Sequence, residues 1–382
     1  MMGGMPETTP PSLRPATLPV EGLPPGWTLR VPDERDVQRL AWLRAAVTDR
    51  AVPGATADVR TVLHEITGVA SWTRRQAVAV DPAGVVRGWA AAHDRAAGRV
   101  LAHVTVEPGL DEQFGAGAEG NEGVEPQDAK DIEGAVARAL LDRVEEAARA
   151  IAHLRRLGST QIDMGSYAGD ERQAGWLRGA GFRHTRTWLQ MTRPVDPEAD
   201  HPATLPVPRD GVRVRRVRLH TNGLPVAEDI QIIHEMLEES FADHFNSYRE
   251  SFPEFVQRLQ EDPGHRWDSW WLAEVRDDRE GGAGWLPGGA LVGTVVAPDR
   301  DGVQGSYVDY IGVHRRARGR GVAKALLRTV IGDAALQGRN RVGLEVDDDS
   351  PTGADALYRS LGWETAYRTC SWHRDVDAGE HR

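Results

Sequence analysis

Arginine, glycine and one lysine crowd into a single stretch of this chain: Arg315-Arg316-Ala317-Arg318-Gly319-Arg320-Gly321-Val322-Ala323-Lys324. The chemistry such residues serve is the binding of anions. Guanidinium groups fork onto phosphate oxygens. Gly319 and Gly321 let the backbone turn tightly and come close to a ligand. The first N–H groups of a helix have no internal partners and sit at the positive end of its dipole. A glycine turn that opens into a helix is therefore a phosphate cradle. The bland alternative for the same residues is a solvated basic loop.

The elements around the run decide whether it can act as a cradle. Tyr307 to Val313 is apolar and β-branched enough to form a strand. From Val322 the apolar residues switch to helical spacing, with Val322, Leu326, Val330 and Ala334 on one face. The order is strand, glycine turn, helix. Downstream, Arg341 to Val346 reads as a second buried strand. Pro351 and Thr352 suit a helix start, Ala356 and Leu357 can pack inward, and Gly362 suits the position that ends the helix.

Arg318-x-x-Gly321-x-Ala323 resembles the pyrophosphate-binding signature of the GCN5-related N-acetyltransferases (GNATs), (Gln/Arg)-x-x-Gly-x-(Gly/Ala). Arg316-x-x-Gly319-x-Gly321 fits the same pattern in an earlier frame; the later frame sets the loop against the start of the helix. Ser350 to Ala354 and Ala356 to Glu364 resemble the other half of that family's core, usually Asn-x-x-(Gly)-Ala-x-x-Leu-Tyr-x-x-x-Gly-Phe. The resemblance implies an α/β fold whose central sheet is mixed, mostly antiparallel and flanked by helices. It implies acetyl-CoA, or another short acyl-CoA, as co-substrate, no metal, and direct acetyl transfer to the primary amine of a small molecule.

The same resemblance assigns residues. Arg318, Gly319, Arg320, Gly321, Val322, Ala323 and Lys324 would face the pyrophosphate. Ile311, Gly312 and Val313 would pair with the pantetheine along a strand edge, and a backbone N–H there would polarise the thioester carbonyl. Ser350 stands where the family often has Asn and can still hydrogen-bond the cofactor. Tyr358 takes the general-acid position, since a phenol of pKa ~10 suits a thiolate leaving group. Its alternative role is packing against the pantetheine. The base is open between Asp309, Glu345 and ordered water, with Asp309 placed first because burial on the central strand would raise its pKa. Asp243 and His244, after the first helix of this half, would hold a cationic amine or cap the helix end. A second reading from another class is a non-catalytic acyl-CoA-binding module with a regulatory or scaffold role. It needs the loop but neither Tyr358 nor a base.

At 382 residues the chain is long enough for two domains. Residues 1–24 are rich in proline and read as a flexible tail. Residues 25–193 read as a strand, two helices (Glu34 to Asp49 and Ala57 to Ile66), three strands, and a long helix from Ile132 to Leu157. A strand, a short helix and a final strand pair from Arg183 to Met191 close this half. Residues 194–210 are a proline-rich linker, and 211–377 restart the same order. Gly179-Ala180-Gly181-Phe182 echoes Ser360-Leu361-Gly362-Trp363. Two tandem GNAT-like domains follow, a mycothiol synthase-like architecture similar to other actinobacterial tandem acetyltransferases. Motif-level matches lie in the second half alone. In the first half the strand Arg99 to Val106 runs into a glycine-rich, acidic stretch through residue 125 without an arginine. Carboxylates facing a pyrophosphate oppose its binding. This half is expected to be degenerate and to wall the catalytic one.

Composition bounds the rest. A net charge of -11 argues against nucleic-acid binding. No stretch approaches the ~18–20 apolar residues of a membrane span. One cysteine, Cys370, cannot form an internal disulfide, which points to the reducing cytoplasm. Lys130 and Lys324 are the only lysines, and an Arg-, Ala- and Gly-rich chain fits a GC-rich bacterial genome. The expected partner is the amine acceptor, with monomer and homodimer both open.

Overall fold

A computed structural model describes residues 22–95, 98–114, 131–241, 250–277, 284–350 and 353–379. The first half contributes β1 (Thr28–Arg30), α1 (Val37–Asp49), α2 (Val59–Thr67), β2 (Arg74–Val80), β3 (Val86–Arg95) and β4 (Arg99–Val106). It continues with α3 (Leu110–Phe114), α4 (Ile132–Leu154), β5 (Ser159–Tyr167), α5 (Glu171–Gly179) and β6 (Arg183–Pro194). The second half contributes β7 (Val212–Arg216), α6 (Ala227–Phe241), α7 (Phe252–Gln260), β8 (His265–Arg276), β9 (Trp285–Val296) and β10 (Gly305–Val313). After it come α8 (Val322–Leu336), β11 (Arg341–Asp347), α9 (Ala354–Arg359) and β12 (Glu364–Asp377). Apolar spacing explains the helices. The series Val322, Leu326, Val330 and Ala334 is fully buried under α8, as are Ile230, Ile233, Met236 and Leu237 under α6.

The described strands form one twelve-stranded sheet, in the order β1-β2-β3-β4-β5-β12-β6-β11-β10-β9-β8-β7. Each half runs antiparallel over its first four strands and then takes one parallel neighbour, β5 on β4 and β11 on β10. This is the mixed, mostly antiparallel sheet expected.

The halves meet by exchange. β12 pairs antiparallel with β5 and β6, and β6 pairs antiparallel with β11. The expected strand pair from Arg183 to Met191 is therefore one continuous strand, β6, because its partners come from the other half rather than from a local hairpin. Trp372 of β12 is buried in the first half's core, and its Nε1 donates to Ser166 Oγ at 2.9 Å. Leu189 and Met191 of β6 are buried in the second half's core. The proline-rich segment divides the chain in sequence, yet each half is completed in space by the other's last strand. That segment is itself packed: Asp200 is buried against Arg193 at 2.6 Å, and Pro202 and Leu205 crowd Gly332 of α8.

Strand alternation predicts one of Trp270 and Trp271 in the core and the other away from it. Both are buried, on opposite faces, Trp270 under α6 and α7 and Trp271 under α8. Helices cover both faces of β8, so alternation carries no solvent side there. Among the described residues no helix is long and apolar enough to cross a membrane.

Shared strands make the halves one cooperative unit. Trp372→Ala should lower stability by about 3–5 kcal/mol, the usual cost of emptying a buried tryptophan site, and urea unfolding should stay a single transition. Two transitions with only one of them shifted would show that the halves unfold separately.

Candidate functional site

The site begins where the sheet stops being a sheet. β10 pairs with β11 only at Ser306, Tyr307 and Val308, while its pairing with β9 continues to Val313. Asp309 lies at the turning point, in a register break between Val308 and Tyr310. A bulge leaves one residue unpaired and bends its strand. Beyond it, Tyr310, Ile311, Gly312 and Val313 have no pairing with β11. Their backbone groups on that side face a gap. The C-terminal turn of α6 closes over the other end, and Leu237 and Ser240 lie so near Gly312 that a side chain there would clash.

β10 then runs into the cradle. His314 caps a one-turn helix over Arg315–Ala317, its Nδ1 accepting from the Arg316 N–H at 3.1 Å, and its ring pairs with Glu239 of α6. Burial, then the Arg316 charge, lowers the His314 pKa. Gly319 and Gly321 both adopt positive φ, 75° and 89°, which a side chain would strain. Gly288 and Gly289 of β9 seat the loop: a side chain on either would strike Ala317 or Val322. α8 starts at Val322 with Gly321 before it and no side-chain cap. Its first N–H groups therefore remain open to a ligand. Among the described residues no carboxylate pairs with Arg318 or Lys324. Open N–H groups, a helix dipole and uncommitted cations together suit an anion.

Sequence reasoning missed Arg209. It is the only arginine or lysine between 194 and 210. The structure lays it over the loop, Nη1 donating to the Gly319 carbonyl at 3.3 Å and its chain 3.1 Å from where a Gly321 side chain would begin. A lone cation in a proline-rich segment was the available signal.

The acid and base candidates differ in setting. Tyr358 is buried on α9 beside Trp363, ring centroids 6.1 Å apart, and burial pushes its phenol up to about 12. It is a neutral O–H across physiological pH. Asp309 is half-buried as a residue, but its Oδ2 is sealed from solvent with no hydrogen-bond partner. Burial, helped by the nearby Asp262 charge, raises its pKa to about 7, against Thr294 and Arg258, which favour the carboxylate. Glu345 was a candidate on the supposition of burial. It is exposed and accepts from Gln190 Nε2 at 2.9 Å, so the burial supposed for it is absent. Ser350 lies in the turn between β11 and α9, its N–H donating to the Asp347 carbonyl at 3.1 Å. Asp243 and His244 lie outside the described residues.

Asp309 and Tyr310 line a cavity of about 490 Å³ between the halves. Glu261, just after α7, fastens its floor. Its carboxylate accepts from Thr73 Oγ1 at 2.9 Å and pairs with Arg74 at 3.0 Å and His93 at 2.9 Å, all from the first half. Burial would raise Glu261, but these three partners hold it below the ordinary carboxylate range.

The first half repeats the geometry without the cradle. β4 pairs with β5 from Arg99 to Ala102 and then leaves it. Where a ligand's phosphate would lie, the Glu133 carboxylate accepts from the N–H groups of Gly109 and Leu110 and pairs with Arg172. Asp131 and Asp111 cap the first turn of α4. Most of the acidic stretch expected to repel an anion lies outside the described residues; within them, the anion position is taken by the protein's own carboxylate.

Residues 241–363 match the Acetyltransferase (GNAT) family. No curated sequence matches the chain. Among solved structures, the fold is similar to a GCN5-related N-acetyltransferase from Sphaerobacter thermophilus, with 22% identity, 94% of this chain and 99% of that one covered, and a TM-score of 0.66. It is also similar to a tandem GNAT protein from the clavulanic acid biosynthesis pathway, with 14% identity, 93% and 100% coverage and a TM-score of 0.60. A third likeness is a glucosamine N-acetyltransferase region of a fungal multidomain GH3 β-N-acetylglucosaminidase, with 12% identity, 92% and 38% coverage and a TM-score of 0.57. Both halves of the chain take part in these superpositions.

The raised pKa of Asp309 has a consequence for stability that needs no substrate. An unfolded aspartate titrates near ~3.9 and the folded one near about 7. Between those values the folded state alone keeps the proton, so stability falls as pH rises through the window. The loss is about 1.4 kcal/mol for each pH unit crossed within it, and Asp309→Asn removes it. The variant should resist urea better than wild type at pH 8, with the difference gone by pH 4. An equal urea midpoint at both pH values would mean an ordinary carboxylate.

Proposed function

We propose that this chain, of which residues 241–363 match the Acetyltransferase (GNAT) family, is an acetyl-CoA-dependent N-acetyltransferase acting on the primary amine of a small molecule. The observation that carries the reading is the opening of β10 from β11 beside an uncapped helix flanked by uncommitted cations. Acetyl-CoA supplies an activated acetyl thioester, a pyrophosphate and a string of pantetheine amides. The N–H groups and cations from Arg318 to Lys324, with Arg209 above them, suit the pyrophosphate. The free edge at Ile311, Gly312 and Val313 suits the amides, and an N–H there would stabilise charge developing on the thioester oxygen. Ser350, at the far lip of the gap, is the remaining cofactor contact.

The acceptor arrives as an ammonium ion and must lose a proton before its nitrogen can attack. Asp309 accepts that proton, being ionised just where a general base is most effective. The new C–N bond forms as the C–S bond breaks. Tyr358 donates its hydroxyl proton to the departing sulfur, and the second proton lost from the newly acylated nitrogen restores the phenol. The first half binds no acyl-CoA in this reading, because Glu133 already fills the anion position. It serves as one wall of the acceptor cavity.

Calorimetry with acetyl-CoA tests the cofactor assignment. Wild type should bind at a single site. Gly321→Glu should abolish binding, since the side chain would strain φ at 89°, crowd Arg209 and place a charge against the pyrophosphate. Two sites would overturn the account of the first half. Turnover tests the roles. With acetyl-CoA and an amine panel, Tyr358→Phe should lower kcat by about 10²–10⁴-fold. In wild type kcat/KM should rise with pH through about 7 as Asp309 ionises, and Asp309→Asn should flatten that limb. Intact acetyl-CoA binding without turnover on any amine would favour the non-catalytic binding module.

A further inference from the structure

The cavity between the halves is charged, and most of its charges satisfy one another. Glu261 is held by Arg74, His93 and Thr73. Glu65 pairs with Arg44 at 2.7 Å, and Arg258 with Glu250 at 2.7 Å. Arg60 pairs with Asp58 at 3.7 Å, which leaves four charged lining groups outside such pairs. Asp309 and Asp262 come from the second half; Arg95 comes from the end of β3, and Arg266 from β8. Among the described residues Arg266 donates only to the Pro263 and His265 carbonyls, at 3.1 and 2.7 Å. Arg95 is half-buried and pairs with Arg99 in the β3–β4 ladder, but among the described residues its side chain makes no ion pair or hydrogen bond.

Few half-buried arginines in this chain are left so; among the described residues Arg328 of α8 is another, and it lies outside this cavity. Comparable half-buried arginines are committed to carboxylates: Arg44 to Glu65, Arg155 to Asp94 at 2.7 Å, Arg172 to Glu133. In a protein with net charge -11, carboxylates are not scarce. A guanidinium left without one, facing a cavity of about 490 Å³, is a preformed anion site. Asp309 lines the same space, one oxygen of its carboxyl sealed from solvent and unpartnered. Neither Arg95 nor Arg266 reaches Asp309 or Asp262 as an ion pair. Opposite charges held apart across open space match a molecule that carries both.

We propose that the acceptor is a zwitterion, a small primary amine bearing a carboxylate or phosphate at its other end. Its anion is held by Arg95 and Arg266, and its ammonium is directed to Asp309 at the opening of β10. The inference rests on the acetyltransferase reading and adds the acceptor's chemical class. It also gives the first half a direct contact with substrate, since Arg95 belongs to it. The volume suits a small metabolite.

The test is calorimetry on the full chain, with and without saturating CoA. The probes are 4-aminobutyrate, 6-aminohexanoate and 2-aminoethyl phosphate, with butylamine and hexylamine as counterparts that lack the anion. At least one zwitterion should bind tenfold or more tighter than the plain amines. Arg95→Gln should erase that preference and Arg266→Gln should reduce it. Tighter binding of the aminoalkyl phosphate would identify a phosphate end, and of the amino acids a carboxylate end. Plain amines binding as well as the zwitterions, no zwitterion binding at all, or a preference that survives Arg95→Gln would each overturn the proposal. Acetyl-CoA binding is read separately on the same sample. Its loss would sink the acetyltransferase reading, whereas intact acetyl-CoA binding with no zwitterion preference would sink this inference alone.

Discussion

Backbone N–H and C=O groups inside a sheet have to find partners, and β10 gives up one set of them after Val308. The bulge at Asp309 turns the strand away from β11 while its bonds to β9 hold. An unpaired strand edge in the middle of a twelve-stranded sheet is tolerable only if something with amide-like groups can fill it, or water can reach it. This constraint organises the rest. It puts a free edge beside the glycine loop, the buried phenol of Tyr358 behind that edge, and Asp309 on its cavity side. The loop must then approach closely, which is why Gly288, Gly289, Gly319 and Gly321 all sit where a side chain would clash or strain.

In the first half the same strand divergence is occupied by the protein's own side chains. β4 leaves β5 after Ala102, and the next residue, His103, stands where Asp309 stands in the second half. Burial first, then the Arg44 charge, lowers His103 to about 4, and its ring meets Trp89 edge-on at 4.6 Å. It is a neutral core imidazole. At the cradle position the Glu133 carboxylate, neutralised by Arg172, supplies the anion internally. A carboxylate tethered to α4 loses little freedom in binding, whereas a free phosphate would also have to displace it. One glutamate is thus enough to turn a phosphate cradle into a helix junction.

Local features of the site were legible in the sequence. Glycine turns, helix starts and apolar spacing depend on neighbours a few residues apart, so the cradle, α8 and Tyr358 could be placed from residue order alone. The central strand was legible too, although the bulge that isolates Asp309 was not, because a register break depends on the partner strand. What depends on long-range pairing stayed hidden. The exchange of β6 and β12 leaves no mark in either strand's composition. Arg209 looked like a linker residue because its contact lies far along the chain. Glu133 looked like an ordinary first-turn acid on a helix. Glu345 was given a burial that only its place in the sheet could decide. Arg95 carried no signal at all: an arginine ending a strand is common, and only the absence of an ion pair to its side chain among the described residues is informative.

The exchange also settles why the first half cannot be treated as a passive appendage. Removing it would strip β12 of β5 and leave the buried Trp372 and Val376 without their core. It would also take away β6, the strand that lies between β12 and β11. The clamp at Glu261 and the bridge from Arg155 to Glu254 at 3.3 Å hold the two bodies on the cavity side as well. The wall opposite Asp309 is therefore fixed by the same contacts that complete the sheet. Within that fixed frame, side chains on α2 and at the end of β3 can change without disturbing the cradle or β10. In the proposed reading, cofactor binding and acceptor selection fall to different halves of one sheet, and the requirement that the sheet be complete keeps them in register.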